Sequence, residues 1–184
     1  MQQQTSKTLN IDAGTNENAD LSNFAIRPFD NSVLTNNIDN IFVSISPYWA
    51  TSDSIIFQSV EQAFQFYKLA NIWSYYMEGE MRELDEKYND KRIDESEYNK
   101  EADAIDSIIE PVEKAITEVL NTTNGAKLRQ IGKQRFNNVD PRAFTYWDAN
   151  SSKIMKSLLK ASFEQNPQAL QRLLDTGNAT LTHT

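Results

Sequence analysis

Cysteine is absent from this 184-residue chain, which excludes disulfides, thiolate zinc sites and a cysteine nucleophile. Histidine is nearly absent. His183 is the single one, so a His-ligated metal centre is not expected, and its place at the chain end makes fraying and exposure the default. Only five glycines occur, with neither a G-x-G-x-x-G nor a P-loop pattern, which leaves little backbone for a phosphate cradle. No apolar run approaches the ~18 residues of a membrane-spanning helix. The opening Met1-Gln2-Gln3-Gln4-Thr5-Ser6 lacks the basic-then-apolar layout of a secretory signal. The expectation is a soluble, cytoplasmic protein with no membrane partner, whose chemistry, if any, uses carboxylates, amines and aromatics.

Hydrophobic residues make up 39% and aromatics 10%, enough for one domain with a substantial core. The net charge of −8 is unevenly spread. Glu78 to Lys114 holds 14 acidic and 6 basic residues, a balance that accounts for the whole −8. Lys127 to Lys160, by contrast, carries Lys127, Arg129, Lys133, Arg135, Arg142, Lys153, Lys156 and Lys160 against only Asp140 and Asp148, a net +6. Such a cluster suits phosphate-bearing ligands; it is equally what the solvated face of an ordinary helix looks like.

Residues 1–20, rich in Gln, Asn, Thr, Gly and Ala, read as a disordered lead or loosely attached arm. Order is expected from Leu21 to the end at 184. Ile41–Ile45 and Asp53–Phe57 read as strands. Ser59 and Gln62 have capping-box spacing and start a helix through Lys68 or beyond. From 72 to about 120, two sparse apolar series flank a charged stretch at 85–92, predicting a helical hairpin with a charged tip inserted into the domain. Asn124-Gly125 breaks the chain before a short helix from Ala126 to about Phe136. Asp148 or Asn150 can cap a helix reaching about Phe163, and Asn166-Pro167 opens another that Gly177 ends. Helices dominate over a few short strands, so the class is α+β.

Glu61, Gln65 and Lys68 stand at i, i+4 and i+7 and so fall within ~60° of one another on a helix otherwise crowded with Phe64, Phe66, Tyr67 and Leu69. Facing a pocket, the stripe offers an acid/base pair; facing solvent, it is a salt-bridge face contributing under ~1 kcal/mol. Phe24, Phe29, Tyr48, Trp49, Tyr146 and Trp147 admit the same two readings. Aromatics in loops and at element edges either wall a pocket and stack on a planar base or simply fill the core.

Several separated pieces together carry a resemblance. Leu21-Ser22-Asn23-Phe24 with Pro28-Phe29, Ser59-Val60-Glu61-Gln62-Ala63-Phe64-Gln65 with Lys68, Gly132-Lys133, Trp147 with Met155, and Leu173-Leu174-Asp175-Thr176-Gly177 with Leu181 occur in one order. In that order and rough spacing they resemble the motifs of the NADAR superfamily, the YbiA/RibX-like proteins. The resemblance runs from Leu21 to Leu181 outside the 72–120 insertion and implies a compact YbiA-like single domain over 21–184.

Members of that family are N-glycosidases, and the resemblance implies the same here. The substrate it favours is ADP-ribosylated DNA, from whose guanine the ADP-ribose would be removed; phosphorylated ribosyl intermediates of riboflavin synthesis are the alternative, as is a binding module for ADP-ribose or nucleic acid without turnover. An interaction protein working through the acidic hairpin is a further alternative. Asn/Ile/Asp-rich usage suits a phage gene, and by analogy such a member would counter a host DNA-modifying toxin. Glu61 and Lys68 become the catalytic pair. Glu61 would stabilise an oxocarbenium-like C1′ and activate water, while Lys68 would act as acid or as nucleophile. Asn23, Phe24, Arg27, Phe64, Gln65, Lys133, Trp147, Asp148, Thr176 and Gly177 become the substrate-binding set, with no metal and no cofactor. Two departures stand out. Gln62 replaces the family's His, so position 62 is not obligatory for chemistry. Where the family continues into an acidic residue and a Trp-Gly element, His183 stands near the acidic position and Thr184 is last, as expected of a shortened chain or of a pocket without that wall.

Overall fold

The computed structural model of the chain describes residues 7–11, 17–30 and 55–182. The strand expected at Ile41–Ile45, the aromatics Tyr48 and Trp49, and His183 lie outside them. The described elements are β1 (Thr8–Asn10), β2 (Phe29–Asp30), β3 (Ile56–Phe57), α1 (Val60–Ser74), α2 (Arg82–Asn89), α3 (Glu95–Leu120), α4 (Gly125–Gly132), α5 (Thr145–Glu164), α6 (Pro167–Asp175) and β4 (Thr180–Thr182). Helix dominates; β1 pairs with β4 in parallel and β2 with β3 antiparallel, each as a two-stranded ribbon. The architecture is the α+β class expected, built mainly from helices.

Helix α1 is the axle of the fold. Ser59 caps it, its Oγ accepting from the Gln62 N–H at 3.2 Å. The reciprocal arm of the capping box is shifted by one residue, since Gln62 Oε1 accepts from the Gln58 N–H at 2.7 Å rather than from Ser59. Val60, Ala63, Phe66, Tyr67, Leu69, Ala70, Ile72 and Trp73 are buried around most of its circumference, as an all-round apolar helix requires. It packs on α3, α4 and α5. Phe57 of β3 joins the core against Phe66 and Tyr67, with ring centroids 5.3 and 5.8 Å away.

The expected hairpin exists, but it has no boundary near 72. A seven-residue π-helical stretch, Tyr75–Met81, joins α1 directly to α2, and α3 returns antiparallel after a tip at 90–94. Asp94 and Glu97 form a capping box at the start of α3, at 2.9 and 3.2 Å. Ile109, Val112, Ala115, Ile116 and Val119 on the last turns of α3 belong to the same core as α1. The Trp73 Nε1–H donates to Glu113 at 3.0 Å. The inner half of the hairpin is therefore part of the domain's core, and only α2 and the first half of α3 project as a charged appendage.

Three further expectations are corrected. Helix α5 begins at Thr145, not at Asp148 or Asn150, because a 3-10 turn over Pro141–Phe144 feeds straight into it; Asp140 caps that turn, accepting from the Arg142 N–H at 2.8 Å. Asp148 lies in the first turn of the helix, and Tyr146 and Trp147 are helical rather than in a loop. Helix α4 stops at Gly132, short of Phe136. Within the segment read as a disordered lead or loose arm, Thr8–Asn10 pair with Thr180–Thr182 and Ala19–Leu21 form a 3-10 turn, so disorder does not extend to these residues: backbone hydrogen bonds to β4 hold the first, and the Asp20–Arg172 ion pair at 2.9 Å with the buried Leu21 holds the second. Helix α6 starts at Pro167 and Gly177 ends it at φ +58°, both as expected. The Asn166 side chain makes no cap, however, donating instead to the Pro28 and Ser162 carbonyls.

Candidate functional site

Glu61 faces inward. It is 5% exposed, in the first turn of α1, and the segment 21–27 is strapped across it. The strap is held twice at one residue, because the Glu61 N–H donates to the Asn23 carbonyl at 2.9 Å while Asn23 Nδ2 donates to Glu61 Oε2 at 2.6 Å. The other carboxylate oxygen accepts from Gln65 Nε2 at 2.7 Å, one turn along the helix. Both Glu61 oxygens are thus held by neutral amides, which fix the carboxylate's direction without neutralising it.

The carboxylate lines a cavity of about 440 Å³ with Asn23, Phe24 and Leu21 from the strap, Ile11 at the end of β1, Arg129 from α4, and Met155 and Leu159 from α5. A cavity of this size, mostly apolar with a few convergent polar groups, has the make-up of a small-ligand site. Phe24 is clamped in its wall. The Arg129 guanidinium carbon sits 4.2 Å from the ring centroid, and Gly125, one turn earlier on α4, lies so close that a Cβ there would stand 2.7 Å from Phe24 Cδ1.

Gln65 is buried, and its Oε1 has no hydrogen-bond partner. It packs directly on Gly132, where any side chain would collide with its amide. Lys68 Nζ in turn donates to the Gly132 carbonyl at 2.6 Å. The predicted stripe therefore divides: Glu61 in the cavity, Gln65 in the core, and Lys68 half-buried at the end of α4, two turns or ~10 Å along the axis from Glu61. Lys68 is not among the described residues lining the cavity. Burial lowers its pKa, opposed by the exposed carboxylate of Asp148.

The remaining sequence candidates scatter. Arg27 is 5% exposed and bound within the fold: its guanidinium donates to Ser162 Oγ at 3.2 Å, to the Ser22 carbonyl at 2.9 Å and to the Asp20 carbonyl, over the Phe163 ring. Burial lowers its pKa, against the attraction of Asp20. It is a strut that ties the strap to α5. Phe64 and Trp147 stack on each other at 4.7 Å, packed where α1 meets α5. Lys133 is exposed beyond the end of α4. Thr176 and Gly177 finish α6, the Thr176 hydroxyl donating to the Leu173 carbonyl at 2.7 Å. Gln62 does mechanical duty, its Nε2 donating to the carbonyls of Val119, Leu120 and Thr122 to close α3 against α1. None of Arg27, Phe64, Gln65, Lys133, Trp147, Asp148, Thr176 or Gly177 lines the Glu61 cavity among the described residues.

In the sequence Arg129 is one cation of a cluster, Met155 one half of the Trp147/Met155 piece and Leu159 an apolar position on the helix to Phe163; no spacing rule places them beside Glu61. All eight cations of the 127–160 stretch are exposed, but only Arg129 reaches the cavity. Among the described residues no three His, Asp or Glu side chains gather as a metal site, and no helix is long and apolar enough to cross a membrane. A scan of family models and searches of curated proteins and of solved structures return no match for this chain.

Proposed function

We propose that the chain is an N-glycosidase of the NADAR kind, acting on a base–ribose bond, with ADP-ribose on a guanine of DNA as the favoured substrate. The observation that carries this reading is the buried Glu61 carboxylate, aimed by Asn23 and Gln65 into a ligand-sized cavity walled by Phe24. The exposed +6 stretch from Lys127 to Lys160 supports a polyanionic substrate.

Cleavage of such a bond passes through a state in which C1′ of the ribose carries positive charge. A carboxylate held on one side of the sugar stabilises that charge. Water adds its oxygen to C1′ and gives a proton to Glu61; the base departs with the electron pair of the C–N bond and takes up a proton from solvent, to which Glu61 releases its own. Phe24 offers the planar face on which a base stacks. Lys68 acts at one remove as a positioning residue: it anchors Gly132, Gly132 backs Gln65, and Gln65 orients Glu61.

Glu61→Gln is the test. The substitution keeps the shape and removes the charge, and it should lower base release from ADP-ribosylated DNA by roughly 10²- to 10⁴-fold, the range for loss of a general base. Circular dichroism should show a folded protein. Turnover at the wild-type rate would reject the assignment.

A further inference from the structure

We propose that Arg129 is the phosphate-reading residue of the Glu61 cavity, selecting ligands whose ribose carries a phosphate or diphosphate ester; the identity of the sugar rests on the glycosidase reading, the anion on the geometry that follows. Arg129 lines the cavity, is exposed, and makes no hydrogen bond or ion pair with any described residue. The Glu61 carboxylate that lines the same cavity makes no ion pair with it; its two oxygens accept from amides of Asn23 and Gln65. Cation and carboxylate therefore share one cavity without pairing, which leaves the guanidinium open to an anion carried by the ligand.

The guanidinium is also pre-positioned. It lies over the Phe24 ring, and that ring is pinned from the same helix by Gly125, one turn before Arg129. Ring contact engages the face of the guanidinium and leaves its edge N–H groups free, the edge that matches two oxygens of a phosphate. Among the described lining residues Ile11, Leu21, Met155 and Leu159 offer an anion no donor, so the flat face of a base packs between them while the phosphate meets Arg129.

Calorimetric titration of the full chain with ADP-ribose, adenosine and unmodified single-stranded DNA tests this, comparing wild type with Arg129→Met and Arg129→Lys at low and moderate salt. Arg129→Met should weaken ADP-ribose binding by roughly 10- to 100-fold, the range for loss of a charge-assisted hydrogen-bond pair, and leave adenosine binding unchanged. Arg129→Lys should recover only part, because it restores charge without the fork. Unchanged ADP-ribose affinity in Arg129→Met, equal loss of adenosine, loss confined to unmodified DNA, or no ADP-ribose binding by the wild type would each overturn the proposal. Failure of the enzymatic reading is seen separately: Arg129-dependent ADP-ribose binding with no base release from any substrate would remove the glycosidase and leave the phosphate site standing.

Discussion

Two regions of this molecule hold carboxylates in opposite ways. The outer hairpin, α2 with the first half of α3, spreads its acids over a wet surface. Glu83 pairs with Lys87 at 2.9 Å, Asp90 with Arg92 at 3.1 Å, and Asp94 with the Glu97 backbone at 2.9 Å, all between near neighbours in sequence. Among the described residues the cavity wall holds one acid, Glu61, and brings the strap, α4 and α5 around it. An exposed carboxylate is solvated wherever it lies, so its local partners contribute little. A buried one is tolerated only where donors meet it, so its surroundings must be built. The hairpin carries the chain's net charge; the cavity wall carries a buried acid.

The comparison can be tested from both ends. The largest effect belongs to Glu61→Gln, through activity rather than folding. Next comes Gly132→Ala, whose new methyl collides with the Gln65 amide. Overpacking there should destabilise the fold by roughly 1–3 kcal/mol in denaturant titration and, by turning Gln65 away from Glu61, lower activity more than stability. A Gly132→Ala protein as stable and active as wild type would dissolve the link between α4 and the carboxylate.

Lys68 gives a smaller, pH-dependent effect. Burial lowers its pKa below the ordinary 10.5, so the unfolded chain binds that proton more tightly than the folded one. Stability from this group should rise with pH between its lowered folded value and 10.5, and be flat there in Lys68→Met. Tyr75, pushed up to about 12 by burial and by neighbouring Glu80, works in the opposite sense above pH 10, so the readout is the difference between wild type and variant in unfolding free energy. Equal slopes in the two would show that Lys68 is as wet as the hairpin lysines. The smallest effect is Glu83→Ala, which should shift the melting temperature by under about 1 °C, since its partner Lys87 is solvated either way.

Local signals were read well from the chain. Ser59, Pro167 at the start of α6 and the Gly177 stop work through groups within a few residues of themselves, and they stand where expected; the Asn166 side chain does not, since it bonds the distant Pro28 carbonyl. The start of α5 was misplaced because Pro141–Phe144 forms a 3-10 turn that no cap residue at Asp148 or Asn150 announces. Helical phase, which grouped Lys68 with Glu61 before the resemblance paired them, records direction around the axis but not the ~10 Å along it. Nothing local contradicted Arg27 as a substrate-binding residue, because its partner Ser162 lies 135 residues away.

By itself the sequence determined the helical class, the absence of thiol chemistry, the segregation of charge and the polar stripe on the helix after Ser59, since composition and short-range periodicity depend on no distant contact. Which end of that stripe is dry was a tertiary decision. It needed Asn23 to arrive from 38 residues upstream and Arg129 from the far end of another helix, and contacts of that range leave no periodic trace in a single chain.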